Sequence, residues 1–205
     1  MPFTSYDCLD YSAHRAPGES APKPFSSQLG MVPIFYVGRG FYEGPAADAR
    51  VDAAGAFRVG RGLPRDAAVF LDFEPWLHRM ILWVPGKPPQ PHPDRAKFAA
   101  AISRTVYLIR SACPTARICC YQSVIGTFHP DNGAAWMQGY RACNEAVYID
   151  AMPGAPNGIG ALFDAAAMSF YRCDADDRLN GRRIDGLAAE VRRLYPHLPL
   201  WSVLW

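Results

Sequence analysis

The chain has 205 residues, half of them hydrophobic, which is enough to fill one sizeable core and points to one domain. A net charge of +2 argues neither for nucleic acid nor for an anionic membrane surface, so no such partner is expected, and no stretch of 18 apolar residues occurs, so no transmembrane helix is expected. The opening Met1–Ser12 has neither a basic start nor an apolar segment, so no secretory signal is expected, and the compartment stays open. Six cysteines occur, none at C-x-x-C spacing, and Cys119 and Cys120 are adjacent. That pattern argues against zinc and for buried free thiols.

Residues 1–30 carry Pro17, Pro22 and Pro24 and no sustained periodicity, so they are read as an irregular lead-in with a short strand around Phe3 to Tyr11. Residues 31–205 are read as one catalytic domain. Met31 to Val37 predicts a strand ending in the turn Gly38-Arg39-Gly40. Phe41 to Pro64 is rich in Ala and Gly, and its Val51, Phe57 and Val59 suggest a small hairpin or loop rather than a long helix. Ala67 to Leu71 is an apolar run leading into Asp72-Phe73-Glu74-Pro75-Trp76 and predicts a buried strand that carries the two acids.

Five prolines at 85, 88, 89, 91 and 93 predict an extended surface loop over Leu77 to Pro93. Asp94 is expected to cap a helix over Arg95 to Ser111, with Phe98, Ile102, Val106 and Ile109 on one buried stripe. A strand over Arg117 to Gln122, a helix over Asp131 to Cys143 and a short strand over Val147 to Met152 follow. Then come a strand over Ala165 to Tyr171, a helix over Asp185 to Leu194 and a last strand over Pro199 to Leu204. Strands alternating with helices imply a parallel α/β sheet. The spacing predicts a TIM-type (β/α) barrel lacking the last one or two units, since a full barrel usually takes about 250 residues. An open doubly wound sheet is the alternative, but its Gly-rich phosphate turn is absent.

In parallel α/β folds the site lies at the carboxyl ends of the strands. Asp72, Glu74 and Trp76 fall there after one strand, Tyr121 and Gln122 after another, Asp150 after a third, Tyr171 and Asp174 after a fourth, and Trp201 with Trp205 at the last. On a strand, residues two apart share a face, so Asp72 and Glu74 are expected side by side, roughly 6–7 Å apart at the backbone. Carboxylates ringed by aromatic faces suit a sugar-cleaving cleft. An oligo- or polysaccharide substrate is therefore expected, with Glu74 and Asp72 catalytic and Trp76, Tyr121, Gln122, Tyr171, Asp150 and Trp201 contacting it. Acids this close fit a substrate-assisted scheme, in which Glu74 protonates the glycosidic oxygen and Asp72 orients a substrate acetamido group. Glu74 could instead pair with Asp150 or Asp174 across the cleft as acid and nucleophile. The histidines never pair at i, i+4, so no metal or other cofactor is expected; His78, four residues after Glu74, is read as a solvated loop histidine, with a place at the rim of the site as the alternative.

Val32 to Gly44 (V-P-I-F-Y-V-G-R-G-F-Y-E-G) resembles the opening strand of hyaluronidase-type glycoside hydrolases, and Gly62 to Trp76 resembles their strand bearing a D-x-E pair followed by Trp. Ala116 to Gln122, Ala165 to Tyr171 and the closing L-P-L-W-S-V-L-W are similar to later strands of that barrel. The resemblance implies hydrolysis of N-acetylhexosaminide links with retention, Glu74 as acid/base, Asp72 as the acetamide-positioning group, and Tyr121 and Tyr171 as substrate contacts. Here Pro75 precedes Trp76 and Leu77 follows it, where the family has an acidic residue and an Arg. A barrel that binds a glycan or a protein without cleaving it is the competing expectation.

Overall fold

The computed structural model describes residues 6–7, 32–120, 133–150, 158–170 and 176–204. It is a mixed α/β fold built on one parallel sheet. Six strands take part: β1 (Tyr6–Asp7), β2 (Val32–Val37), β3 (Ala68–Leu71), β6 (Arg117–Cys120), β7 (Ala165–Phe170) and β8 (Leu200–Leu204). The intervening β4 (Ile81–Leu82) and β5 (Gln90–Pro91) pair with each other, antiparallel, outside that sheet. Across the main sheet the spatial order equals the chain order, and every pairing is parallel.

The two faces of the sheet are buried by different means. Val69, Leu71, Ile118, Cys120 and Ala166 point to the side that the helices cover. That side holds α1 (Ala53–Gly62), α3 (Arg95–Ala112), α4 (Ala134–Tyr148) and α5 (Asp177–Leu194). The alternate residues Ile34, Ala68, Phe70, Cys119, Ala165, Ala167 and Trp201 form a second cluster made only of strand residues. A sheet face can bury itself without a helix when the sheet curls. The edges agree: Cα atoms of β1 and β8 approach within 8 Å, where a flat six-stranded sheet would hold its edges about 24 Å apart. Among the described residues no ladder joins β1 to β8, so the expected TIM-type barrel is not seen as a closed barrel.

Several elements differ from their sequence reading. Ala53–Gly62 is a helix, not a hairpin or loop. Asp52 starts it, its carboxylate accepting from the Gly55 N–H at 2.8 Å. Gly60 is what lets this helix lie against α3, because a Cβ there would meet the Ile109 carbonyl oxygen at 2.5 Å and the Ala112 methyl at 2.8 Å. Val147–Tyr148, expected in a strand, completes α4. Helix α5 begins at Asp177, eight residues before the expected Asp185, with Asp176 accepting from the Arg178 N–H. The α3 stripe of Phe98, Ile102, Val106 and Ile109 is buried as expected, although Asp94 caps it without a side-chain bond. Cys113, Cys119, Cys120 and Cys143 are buried free thiols. Tyr6–Asp7, within the lead-in, pairs with β2.

Candidate functional site

The site grows out of the end of β3. That strand lies between β2 and β6, so Ala68 to Leu71 are all buried. The ladder runs one bond further, the Asp72 N–H donating to the Val37 carbonyl at 3.0 Å. Then the chain turns. Phe73 leaves the extended region, and a single helical turn, α2 (Glu74–Leu77), follows with Pro75 in its first turn, where a missing N–H costs nothing. Glu74 therefore does not share a strand face with Asp72, which corrects the expected side-by-side geometry. A local hydrogen bond replaces it: Asp72 Oδ1 accepts from the Glu74 N–H at 2.8 Å.

Asp72 continues the alternation of Ala68 and Phe70, and Tyr36 that of Ile34, so both belong to the helix-free face. The Tyr36 hydroxyl donates to Asp72 Oδ2. A second phenol, Tyr42, donates to the Asp72 backbone carbonyl at 2.5 Å. Asp72 is thus held at both carboxylate oxygens and at its main chain. Burial, then the nearby Asp72 charge, pushes the Tyr42 phenol far above its ordinary range, so it remains a donor at any working pH. The buried Cys120 thiol, beside Asp72 on the next strand, is raised for the same two reasons and stays neutral.

Asp72 opens onto a cleft of about 560 Å³ walled by Tyr36, Val37, Gly38 and Arg39. Glu74 follows two residues on, its side chain 39% exposed, and His78 Nε2 sits 3.2 Å from its Oε1. His78 in turn lines a second cleft of about 600 Å³ with Arg79, Trp83, His92, Asp94 and Lys97. The Glu74 N–H thus bonds to Asp72 of the first cleft, and its carboxylate contacts His78 of the second.

The other expected contacts are distributed differently. Trp76 is 0% exposed; the helical turn swings it inward, where it stacks on Phe73 at 6.0 Å and meets Tyr42 edge-to-face at 4.6 Å. It cannot be a cleft wall, but it props the phenol that holds Asp72. Trp201 is also buried, against Phe70 at 5.9 Å and beneath the Arg117 guanidinium. Both contacts involve strand positions below the carboxyl ends, so Trp201 belongs to the packed interior of the curled sheet. Asp150 follows the end of α4, its N–H bonded to the Glu145 carbonyl. Tyr121, Gln122, Tyr171 and Asp174 lie outside the described residues.

Three neighbours were not singled out from sequence: Tyr36, Tyr42 and Arg39. Tyr36 had a usable signal, since it stands at the carboxyl end of the strand next to the acidic one. His78, read as a solvated loop residue, instead pairs with Glu74, and its i, i+4 spacing on the new helical turn was the clue. Among the described residues no group of three or more His, Cys, Asp or Glu side chains converges as a metal site would need. Comparison with protein-family models, with curated proteins and with solved structures gives no match to this chain, so its functional reading rests on its own geometry.

Proposed function

We propose that the chain is a glycoside hydrolase acting on N-acetylhexosamine-containing glycans, with Glu74 as acid/base and Asp72 as the group that orients the substrate acetamide. The observation that carries this reading is the tethered acid pair at the carboxyl end of a central parallel strand, one acid clamped and lining an open cleft, the other bonded to it through its N–H with a part-exposed carboxylate. Sequential strand order, helices on one face and a self-buried opposite face support a TIM-type barrel as the scaffold. The same features favour it over a doubly wound sheet, whose strand order reverses at a switch point.

In the proposed reaction Glu74 gives its proton to the glycosidic oxygen as the C1–O bond breaks. The acetamide carbonyl oxygen of the same sugar forms the new bond to C1. Asp72 accepts the acetamide N–H and balances the positive charge that develops there. Water then attacks C1, the oxygen–C1 bond to the acetamide breaks, and Glu74 takes back a proton from the water. Asp72 already accepts from Tyr36 and from the Glu74 N–H, yet a carboxylate has about four acceptor positions, so about two remain, enough for the acetamide. Its partners also fix its direction before substrate arrives.

The test is cleavage of a panel of N-acetylated oligosaccharides by wild type and by Glu74→Gln. Wild type is expected to cleave, and the variant to lose about 10²–10⁴-fold in kcat, the usual worth of a general acid. Wild type inert across the panel would defeat the enzyme reading. One observation favours a binding-only alternative: His78 already engages the Glu74 carboxylate. That alternative predicts glycan binding without cleavage, and affinity unaffected by Glu74→Gln.

A further inference from the structure

The loop after α2 is not the featureless surface excursion that its prolines suggest. It doubles back as the β4–β5 pair, and its tip carries Leu82, Trp83 and Val84, each more than a third exposed. The tip is seated on α4. Gly139 makes room for it, since a Cβ there would stand 2.7 Å from the Pro89 carbonyl oxygen and 3.1 Å from the Pro88 Cβ. One edge of Trp83 rests against Tyr140, ring centroids 6.0 Å apart. The indole is therefore held in place while 46% of the residue stays open. Three consecutive exposed apolar residues with a held indole at their centre form the kind of patch that marks an interaction site.

Trp83 forms part of the second cleft, about 600 Å³, which His78 connects to Glu74. The polar groups around it are suited to hydroxyls. His92 Nδ1 accepts from the Asp94 N–H at 3.1 Å, so a neutral His92 carries its proton on Nε2 and can donate from there. Asp94 supplies a carboxylate acceptor, and Lys97 and Arg79 supply further donors. An aromatic plate beside mixed donors and acceptors is what a pyranose needs, with its C–H face on the ring and its hydroxyls around the rim.

From this continuity we propose that the cleft is a saccharide subsite, Trp83 being its stacking platform, which holds a sugar unit beyond the bond that Glu74 addresses. This rests on the glycosidase reading for its direction, but binding and cleavage can be scored apart. The probes are N-acetylglucosamine oligomers of two and of six units. The readout is the indole N–H resonance of Trp83, assigned by its loss in Trp83→Phe and followed in the Glu74→Gln protein so that nothing turns over. The hexamer is expected to shift that resonance, and Trp83→Ala to weaken hexamer binding roughly tenfold or more. Val84→Ala, equally exposed on the same tip, should bind as the parent does, and the dimer should be far less sensitive to Trp83→Ala. Identical melting of Trp83→Ala and the parent excludes a folding cause. If wild type cleaves and the hexamer binds with the Trp83 resonance unmoved, the subsite is wrong and the glycosidase reading stands. If the resonance moves and Trp83→Ala weakens binding but wild type cleaves nothing, the subsite stands and the enzyme reading fails. If the hexamer does not bind, the subsite fails outright.

Discussion

Trp76 offers a sharp test of how the site is supported, because its ring and its N–H pull stability in opposite directions. The ring is 0% exposed and packs on Phe41, Tyr42 and Phe73. Removing it in Trp76→Ala forfeits transfer energy and leaves a cavity, about 3–5 kcal/mol together. The indole Nε1, by contrast, is buried with no hydrogen-bond partner among the described residues, and an unmet donor costs about 1–3 kcal/mol. Trp76→Phe keeps most of the packing and deletes that donor. Its smaller cavity, on the order of 1–2 kcal/mol, is offset by the relief, so the net change should stay within about 1 kcal/mol of wild type. For a domain of this size each kcal/mol moves Tm by about 2–4 °C. Trp76→Ala deletes the same donor, so its net loss is about 2 kcal/mol at mid-range, and thermal unfolding followed by far-UV circular dichroism should show a drop of about 4–8 °C for Ala and less than about 4 °C for Phe. If Phe proves as damaging as Ala, the indole N–H is bonded in solution and the argument from the orphan donor is wrong. If Ala melts with wild type, Trp76 is not a core residue at all.

Tyr36→Phe removes the phenol that grips Asp72 Oδ2 on a residue 42% exposed. It should lower kcat about tenfold, the worth of one charge-assisted hydrogen bond, with unchanged melting; steady-state kinetics on the best N-acetylated substrate would check this. Glu190 has a side chain 2% exposed and accepts from Arg193 at 2.8 and 2.9 Å and from Asn144 at 3.2 Å, clamping α4 to α5. Glu190→Leu should cost about 2–3 kcal/mol in urea unfolding, the partial exposure of Arg193 softening the loss, and adding Arg193→Leu should recover part of it. Burial pushes the Cys143 thiol from 9.0 up to about 11, so between those pH values the native state holds a proton that the unfolded chain releases. Stability must then fall as pH rises through that window and be unaffected below it, and the decline should be shallower in Cys143→Ala than in wild type when urea midpoints are compared across about pH 8 to 11.

The strands of the main sheet and the place of the two acids after one of them were legible because their signals are local: short apolar runs, and two carboxylates where an apolar strand stops. Helix α1 was not, because Gly55, Gly60 and Gly62 lower its intrinsic propensity by roughly 1 kcal/mol apiece. Packing overrides that penalty, since the close crossing of α1 on α3 needs the missing Cβ of Gly60. Val147–Tyr148 illustrates a different limit: a short apolar run reads equally well as strand or as the buried end of a helix. For the site, the residue types were readable and their directions were not. The Pro75 that follows Glu74 marks a helix start as well as a strand end, and choosing the strand put Trp76 in the cleft rather than in the core. The phenols on Asp72 are contacts over 30 and 36 residues of sequence, which no local pattern encodes.

The bond from the Glu74 N–H to Asp72 Oδ1 spans only two residues, and His78 reaches Glu74 from one helical turn away. The bond that joins the two acids is thus written into a seven-residue stretch of chain, Asp72 to His78, while the phenols that hold Asp72 come from the neighbouring strand and the loop after it. A ruler of that kind travels with its strand. Substitutions and insertions in the distant loops can reshape what the clefts admit while the spacing of the acids stays constant. On the proposed glycosidase reading, variation around the rim should alter which glycan is chosen sooner than it alters the chemistry performed on it.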